Sequence, residues 1–232
     1  MLPTEPNKPC SDITRLKMLI YGNAGIGKSS FCSKIDGALF LDVEKGLTSL
    51  PVYKVPICSW NDARQVYKDV KESKHTFKWI VIDTIDELIR KYELEYCKSH
   101  DDKEGLGNYE WGVGYDAVKR RIMQFLTGWG DMPYGLILIS HAREGKQTML
   151  DGSEIDMIVP SLPNYLRTLV ESFVDVIAYF HMKYDKETSA SKRVIDCDVH
   201  DNYVTKDRTS KFRGAIPMDW VAFKALFKGG TK

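Results

Sequence analysis

The sequence has no apolar run near the roughly 20 residues that a helix needs to cross a bilayer, and its first twelve residues lack the charged-then-apolar pattern of a signal peptide. Neither export nor membrane insertion is predicted. It has no Cys-x-x-Cys pair: the five cysteines, Cys10, Cys32, Cys58, Cys97 and Cys197, are odd in number and widely spaced, which fits reduced thiols inside a cell better than a disulfide framework. Charge of one sign is not in excess either. With 33 Lys and Arg against 32 Asp and Glu, nothing argues for a chain-wide basic coat or an acidic tail, and any basic patch must be local. Internal repeats, low-complexity tracts and a Gly-x-Ser-x-Gly nucleophile elbow are all missing. Cys197-Asp-Val-His200 offers half of a metal site, but a second spaced pair is lacking.

What is present is enough for one α/β core: 232 residues with 43% apolar content, too short for two full-sized cores. Pro3, Pro6 and Pro9 mark residues 1–13 as an extended arm, followed by a single domain over 14–232. Short apolar runs at 16–21, 38–41, 79–82 and 136–139 read as buried parallel strands. Apolar residues at three- and four-residue spacing predict helices over 28–35, 61–71, 85–96 and 115–125. After a helix from about Asn164 through Val170, residues 174–180, 194–199 and 203–205 read as adjacent antiparallel strands, and Asp219 as the N-cap of a closing helix with Trp220, Val221, Phe223 and Leu226. The fold class is therefore α/β, a mainly parallel central sheet flanked by helices, with antiparallel strands toward the C-terminus.

Gly22-Asn23-Ala24-Gly25-Ile26-Gly27-Lys28-Ser29 satisfies G-x-x-x-x-G-K-[ST], directly after an apolar run and directly before a helical pattern. Glycines let the backbone wind tightly, so that successive N–H groups point at phosphate oxygens. ATP and Mg²⁺ are the expected ligands: Gly22 to Ser30 hold the nucleotide, Lys28 reaches the β and γ phosphates, and Ser29 ligates the metal. Residues 79–83 form an apolar strand that ends in Asp83, placed as a Walker B acid that holds Mg²⁺ through water. The next residue is Thr84, which cannot deprotonate water, so the base must come from elsewhere. Glu44, just beyond the strand that ends at Asp42, is the candidate, because ligands in open α/β folds bind at the carboxyl ends of the strands.

This order of glycine-rich loop, Asp42-x-Glu44, Asp83-Thr84 and a strand ending in Ser140-His141 resembles the ATPase core of RecA-type recombinases. The resemblance implies a RecA-like fold, Glu44 as catalytic base and His141 as γ-phosphate sensor, where RecA itself has glutamine. Lys206-Asp207-Arg208 resembles the finger that such proteins insert into a neighbouring subunit's site, which implies a homo-oligomer, ring or filament; a plain exposed basic loop has the same signature. The compact length looks most like the small phage-encoded members associated with single-strand annealing and recombination. That implies the cytoplasm of a bacterial host, single-stranded DNA as a partner, and a single-strand-binding protein as a further one. Two stretches correspond to the family's DNA loops: 101–115, with Lys103, Tyr109 and Trp111, and 143–160, with Arg143 and Lys146 before an acidic run. Tyr109 and Trp111 fit equally well as anchors of a loop onto the core.

The expected function is Mg-dependent ATP hydrolysis by an oligomer acting on single-stranded DNA in phage recombination, annealing or replication. Two alternatives share the phosphate loop. One is a small-molecule kinase, for which an arginine-bearing lid is lacking; the other is a nucleotide-gated binding module with little turnover.

Overall fold

The structure, a computed structural model, describes residues 2, 4–6, 10–100, 104–148, 151–185 and 189–229. Among these residues ten strands form one connected sheet system. They are β1 (Lys17–Gly22), β2 (Ala38–Asp42), β3 (Tyr53–Pro56), β4 (Trp79–Asp83), β5 (Gly135–Thr148), β6 (Glu154–Pro160), β7 (Val176–Asp185), β8 (Ala190–Asp196), β9 (Lys206–Asp207) and β10 (Ile216–Pro217). The main path runs β10-β8-β7-β1-β5-β4-β2-β3, with β6 paired to β5 and β9 to β7. From β7 to β3 every neighbour is parallel; β8, β9 and β10 add antiparallel pairs toward the C-terminus. The predicted fold class is the one observed.

The strand sequences explain the layering. Each residue of β2 and β4 is buried, as expected where helices cover both faces. Successive residues feed opposite cores: Leu19 and Tyr21 pack with the first, Met18 and Ile20 with the second. The first core lies under four helices, α2 (Trp60–Glu72), α3 (Ile85–Ser99), α4 (Val113–Gly130) and α5 (Asn164–Phe173). Trp60, Phe125 and Trp129 meet at its centre, with ring centroids 4.7 and 6.0 Å apart in sequence. The second core lies under α1 (Lys28–Cys32) and α6 (Trp220–Gly229), where Phe31 meets Phe180, Trp220 and Phe223 edge-on. Each such side chain contributes roughly 1.5–3 kcal/mol by leaving water. Among the described residues no helix is long and apolar enough to cross a membrane.

Helix starts follow their capping chemistry. Ser59 and Asp62 form a reciprocal capping box at α2. Asp219 accepts from the Ala222 N–H at 2.9 Å, the N-cap role predicted for it.

Several boundaries differ from expectation. The helix at 28–35 stops at Cys32, and residues to Ile35 continue only as turns. Residues 203–205 are not a strand: Tyr203 makes an isolated bridge to Ile158, and the paired residues are Lys206 and Asp207. The segment 174–180 is not purely part of an antiparallel set, because β7 lies parallel beside β1. Ile13 is buried in a short 3-10 turn over Ile13–Arg15, so ordered packing begins inside the expected arm; Pro3 and Pro9 lie outside the described residues.

β1 and β7 approach closely at the phosphate loop. A methyl group built on Gly22 would lie 2.3 Å from the Phe180 carbonyl oxygen, a backbone atom with little room to move. Gly22→Ala is therefore expected to lower stability by roughly 1–3 kcal/mol through overpacking, whereas Gly105→Ala, where nothing lies within 4 Å, stays within about 0.5 kcal/mol of the parent. Urea denaturation midpoints check the pair, and equal midpoints would refute the close-approach account.

Candidate nucleotide site

Because the strands are parallel and in register, their carboxyl ends converge on one edge of the sheet. Gly22 pairs with His141 across β1 and β5, and Asp42 with Asp83 across β2 and β4. The loop leaving β1 turns through Gly25 (φ 75°) and Gly27 (φ 109°), left-handed conformations that favour glycine. α1 then begins at Lys28, and its second residue, Ser29, reaches the end of β4, where its hydroxyl donates to Asp83 Oδ2 at 2.7 Å.

Lys28 is buried beside this pair. Its Nζ donates to the Gly22 carbonyl at 2.7 Å and to the Asn23 carbonyl at 3.1 Å. Burial lowers its pKa, partly opposed by Asp83, Asp86 and Glu44. Asp83 is 6% exposed. Burial pushes its carboxyl up to about 6, against the Ser29 hydrogen bond that favours the charged form.

Glu44 follows β2 and is held from two sides. Thr84 Oγ1 donates to its Oε1 at 2.8 Å, and His141 Nδ1 lies 3.6 Å from the same oxygen. His141 is fixed in turn by Asp86: Nδ1 lies 2.9 Å from Asp86 Oδ2, and the His141 backbone N–H donates to that oxygen at 3.3 Å. A cavity of about 300 Å³ collects Gly25, Gly27, Lys28, Ser29, Glu44, Asp83 and His141 on its walls. A second, of about 560 Å³, adjoins it through Glu44 and His141 and extends to Asp86 and Arg143.

The donor set suits the expected ligands. A serine hydroxyl and one carboxylate are hard oxygens, and Mg²⁺ typically takes one or two carboxylates and fills its remaining positions with phosphate and water. A buried carboxylate with a raised pKa, next to a buried ammonium that bonds only loop carbonyls among the described residues, is a site prepared for added charge of both signs. Zinc finds no such set. Cys197 is buried, His200 stacks on Tyr203, and among the described residues no group of three or more His, Cys, Asp or Glu side chains is arranged around one point.

The sequence-based candidates thus divide. Residues 22–30, Glu44, Asp83 and His141 come together. Lys206 and Arg208 do not: Lys206 pairs with Ile177 near the start of β7 and the Arg208 N–H donates to the Asp175 carbonyl, at the end of the sheet away from Gly22. Lys206 Nζ donates to the carbonyls of Glu171 at 2.6 Å and Val174 at 2.7 Å, and Arg208 Nη2 to that of Ser172 at 2.8 Å. Within one chain they cap the C-terminus of α5, where cations meet the negative end of the helix dipole.

Of the DNA-loop candidates, Tyr109 is an anchor. Its hydroxyl donates to the Cys97 and His100 carbonyls and its ring packs on Tyr96. Trp111 is 95% exposed. Residues 143–160 are largely a hairpin of β5 and β6 rather than a loop. There Arg143 donates to the Leu162 carbonyl and Asn164 Oδ1, and Lys146 pairs with Glu154. Lys103 lies outside the described residues. Asp86 was missed by sequence reasoning; its signal is a carboxylate in the first turn of the helix that follows Asp83.

Residues 14–209 match a family described as an AAA domain. Over 137 residues the chain is 29% identical to the SPbeta prophage-derived uncharacterized protein YorG of Bacillus subtilis (strain 168), covering 55% of this chain and 41% of that protein. The chain thus spans less than half the length of this curated relative. Among solved structures, the KaiC-like protein PH0186 of Pyrococcus horikoshii OT3 aligns with 78% of this chain and 77% of its own at 14% identity, with a TM-score of 0.42.

The capping role of Lys206 has its own test. Lys206→Met is expected to lower stability by roughly 1.5–3 kcal/mol, the range for hydrogen bonds to a charged group, with ATP affinity of the monomer unchanged. Urea denaturation and a nucleotide titration measure both, and undiminished stability would contradict the role.

Proposed function

The chain belongs to the AAA-domain family, and from that premise we propose that it is a Mg-dependent ATPase whose chemistry is carried by Lys28, Ser29, Glu44 and Asp83. The observation that carries the proposal is the contact of Ser29 with Asp83 at 2.7 Å, with Glu44 held over the same cavity by Thr84. Ser29 and Asp83 would hold Mg²⁺, which when bound neutralises charge on the phosphates.

Each side chain then has a task. Lys28 exchanges its loop carbonyls for phosphate oxygens, which it can do without a large movement because its Nζ already lies among the loop's backbone atoms. Glu44 takes a proton from water as the water oxygen bonds to the γ phosphorus and the bond to the bridging β–γ oxygen breaks. Thr84 engages one carboxylate oxygen of Glu44 and fixes its rotamer. His141, tethered by Asp86, stands where charge on the transferred phosphoryl group can be felt.

The proposal extends to an oligomer stimulated by single-stranded DNA. Its support is the fully exposed ring of Trp111, which suits base stacking, and a phage setting is suggested by the prophage origin in the relative's name. In an assembled state Lys206 and Arg208 would have to leave the end of α5 to reach a neighbour's phosphates.

Glu44→Gln is expected to keep ATP binding and to lower hydrolysis by about 10²-fold or more, whereas Lys28→Ala weakens binding itself. Steady-state hydrolysis and equilibrium binding, each with and without single-stranded DNA and with mass in solution followed, check both levels. Full activity of Glu44→Gln would sink the catalytic assignment. Hydrolysis indifferent to DNA from a persistent monomer would remove the DNA extension, and nucleotide-driven assembly without turnover would favour a binding module.

A further inference from the structure

We infer that Met182, Arg193 and Met218 form the nucleoside edge of the phosphate loop and take the flat base of a nucleoside triphosphate. The inference rests on the nucleotide reading of the loop and deepens it by naming where the base lies.

Direction comes first. Ser29, Asp83, Glu44 and His141, the groups placed to act on the terminal phosphate, lie toward β5, β4 and β2, on one flank of β1. A triphosphate stretched across the loop with its terminal end there must carry its nucleoside toward the other flank, where β7, β8 and β10 follow β1.

On that flank the register supplies a platform. Phe180 of β7 pairs with Ile195 of β8, which pairs with Ile216 of β10. All three pack into the core beneath α1. Side chains two residues further along a strand share the same face. The next row on the loop side is therefore Met182 and its partner Arg193, with Met218 directly after the paired Pro217. This row meets the loop: a methyl group built on Gly27 would lie 2.8 Å from Met218 Cε and 3.6 Å from Arg193 Nη1. Met218 rests on the core below, whereas Met182 is half exposed and Arg193 is exposed.

The chemistry of the row suits a flat heterocycle. Beyond its backbone pairing in β8, the Arg193 side chain makes no hydrogen bond or ion pair among the described residues, so its guanidinium plane is available to stack on a π-face. Two thioethers flank it, soft and polarisable groups that pack well against aromatic rings. Among the described residues the Glu44 flank presents mainly charged and hydroxyl groups, Lys28, Ser29, Glu44, Asp83, Thr84 and His141, with Leu50 its one large aliphatic side chain and neither a thioether nor a guanidinium.

Competition binding in the presence of Mg²⁺, with ATP and inorganic tripolyphosphate as probes, separates base from phosphate recognition. Wild type is expected to prefer ATP. Arg193→Ala should lose about tenfold in ATP affinity. Arg193→Lys, which keeps the charge and loses the plane, should bind tripolyphosphate as wild type does without regaining that tenfold. Met182→Ala and Met218→Ala should each lose about threefold for ATP and nothing for tripolyphosphate; Met182 is exposed enough for its variant to fold if that at Met218 does not. Full recovery by Arg193→Lys, or equal losses for both probes in the methionine variants, would overturn the assignment. Failure of wild type to bind either probe would instead reject the nucleotide reading on which it rests.

Discussion

Asp83 ends a strand whose five residues are all buried, and is itself 6% exposed. Placing an ionised carboxylate there is unfavourable, and burial lifts its pKa to about 6. What holds the group is the Ser29 hydroxyl, from a residue 54 positions earlier in the chain. Asp83 ends β4 while Ser29 opens α1 after β1, and β5 lies between those two strands, so the contact requires the loop after β1 to wind tightly and to start α1 within reach of β4. Glycines at 25 and 27 meet that demand with left-handed backbone. The loop's geometry, the position of Lys28 and the shape of the cavity all follow from this one meeting.

Around it, acids outnumber bases. Asp42, Glu44, Asp83 and Asp86 face Lys28, Lys54 and His141, with Lys54 committed to Asp42 at 2.9 Å and His141 to Asp86. Asp42 Oδ1 and Asp86 Oδ1 are buried without a hydrogen bond. A triphosphate entering such a site meets repulsion unless a cation enters with it. That is the physical reason the proposed nucleotide would enter with Mg²⁺. It also explains why Glu44 is tethered: Thr84 and His141 hold it near the anion it would otherwise avoid.

Much of this was legible in the sequence because the central strands are buried on both faces. Runs such as Trp79-Ile-Val-Ile have one reading in a chain of this length, and the glycine loop lay between an apolar run and a helical pattern. Glu44 and Asp83 followed from their places at strand ends. Other features were opaque for physical reasons. β3 is mostly exposed and shows no alternation. β6 carries Glu154 and Asp156 on a hairpin that projects from the sheet, so its charges read as loop. Lys206 and Arg208 have the composition of a phosphate-seeking finger, and only the folded chain reveals that carbonyls at the end of α5 receive them. Tyr109 was open between two roles until its hydroxyl found the end of α3. Arg193 meets the loop through pairing across three strands, which no local pattern encodes.

The most direct test of the central claim is metal occupancy. With Mn²⁺ in place of Mg²⁺ and a non-hydrolysable ATP analogue, electron paramagnetic resonance counts the bound ion in the parent protein and in Asp83→Asn. The account predicts one Mn²⁺ held with the nucleotide in the parent and a marked loss of metal affinity in the variant, with the triphosphate still bound through Lys28 and the loop. Equal metal affinity in the two proteins would contradict it, because the buried carboxylate would then have no part in holding the ion.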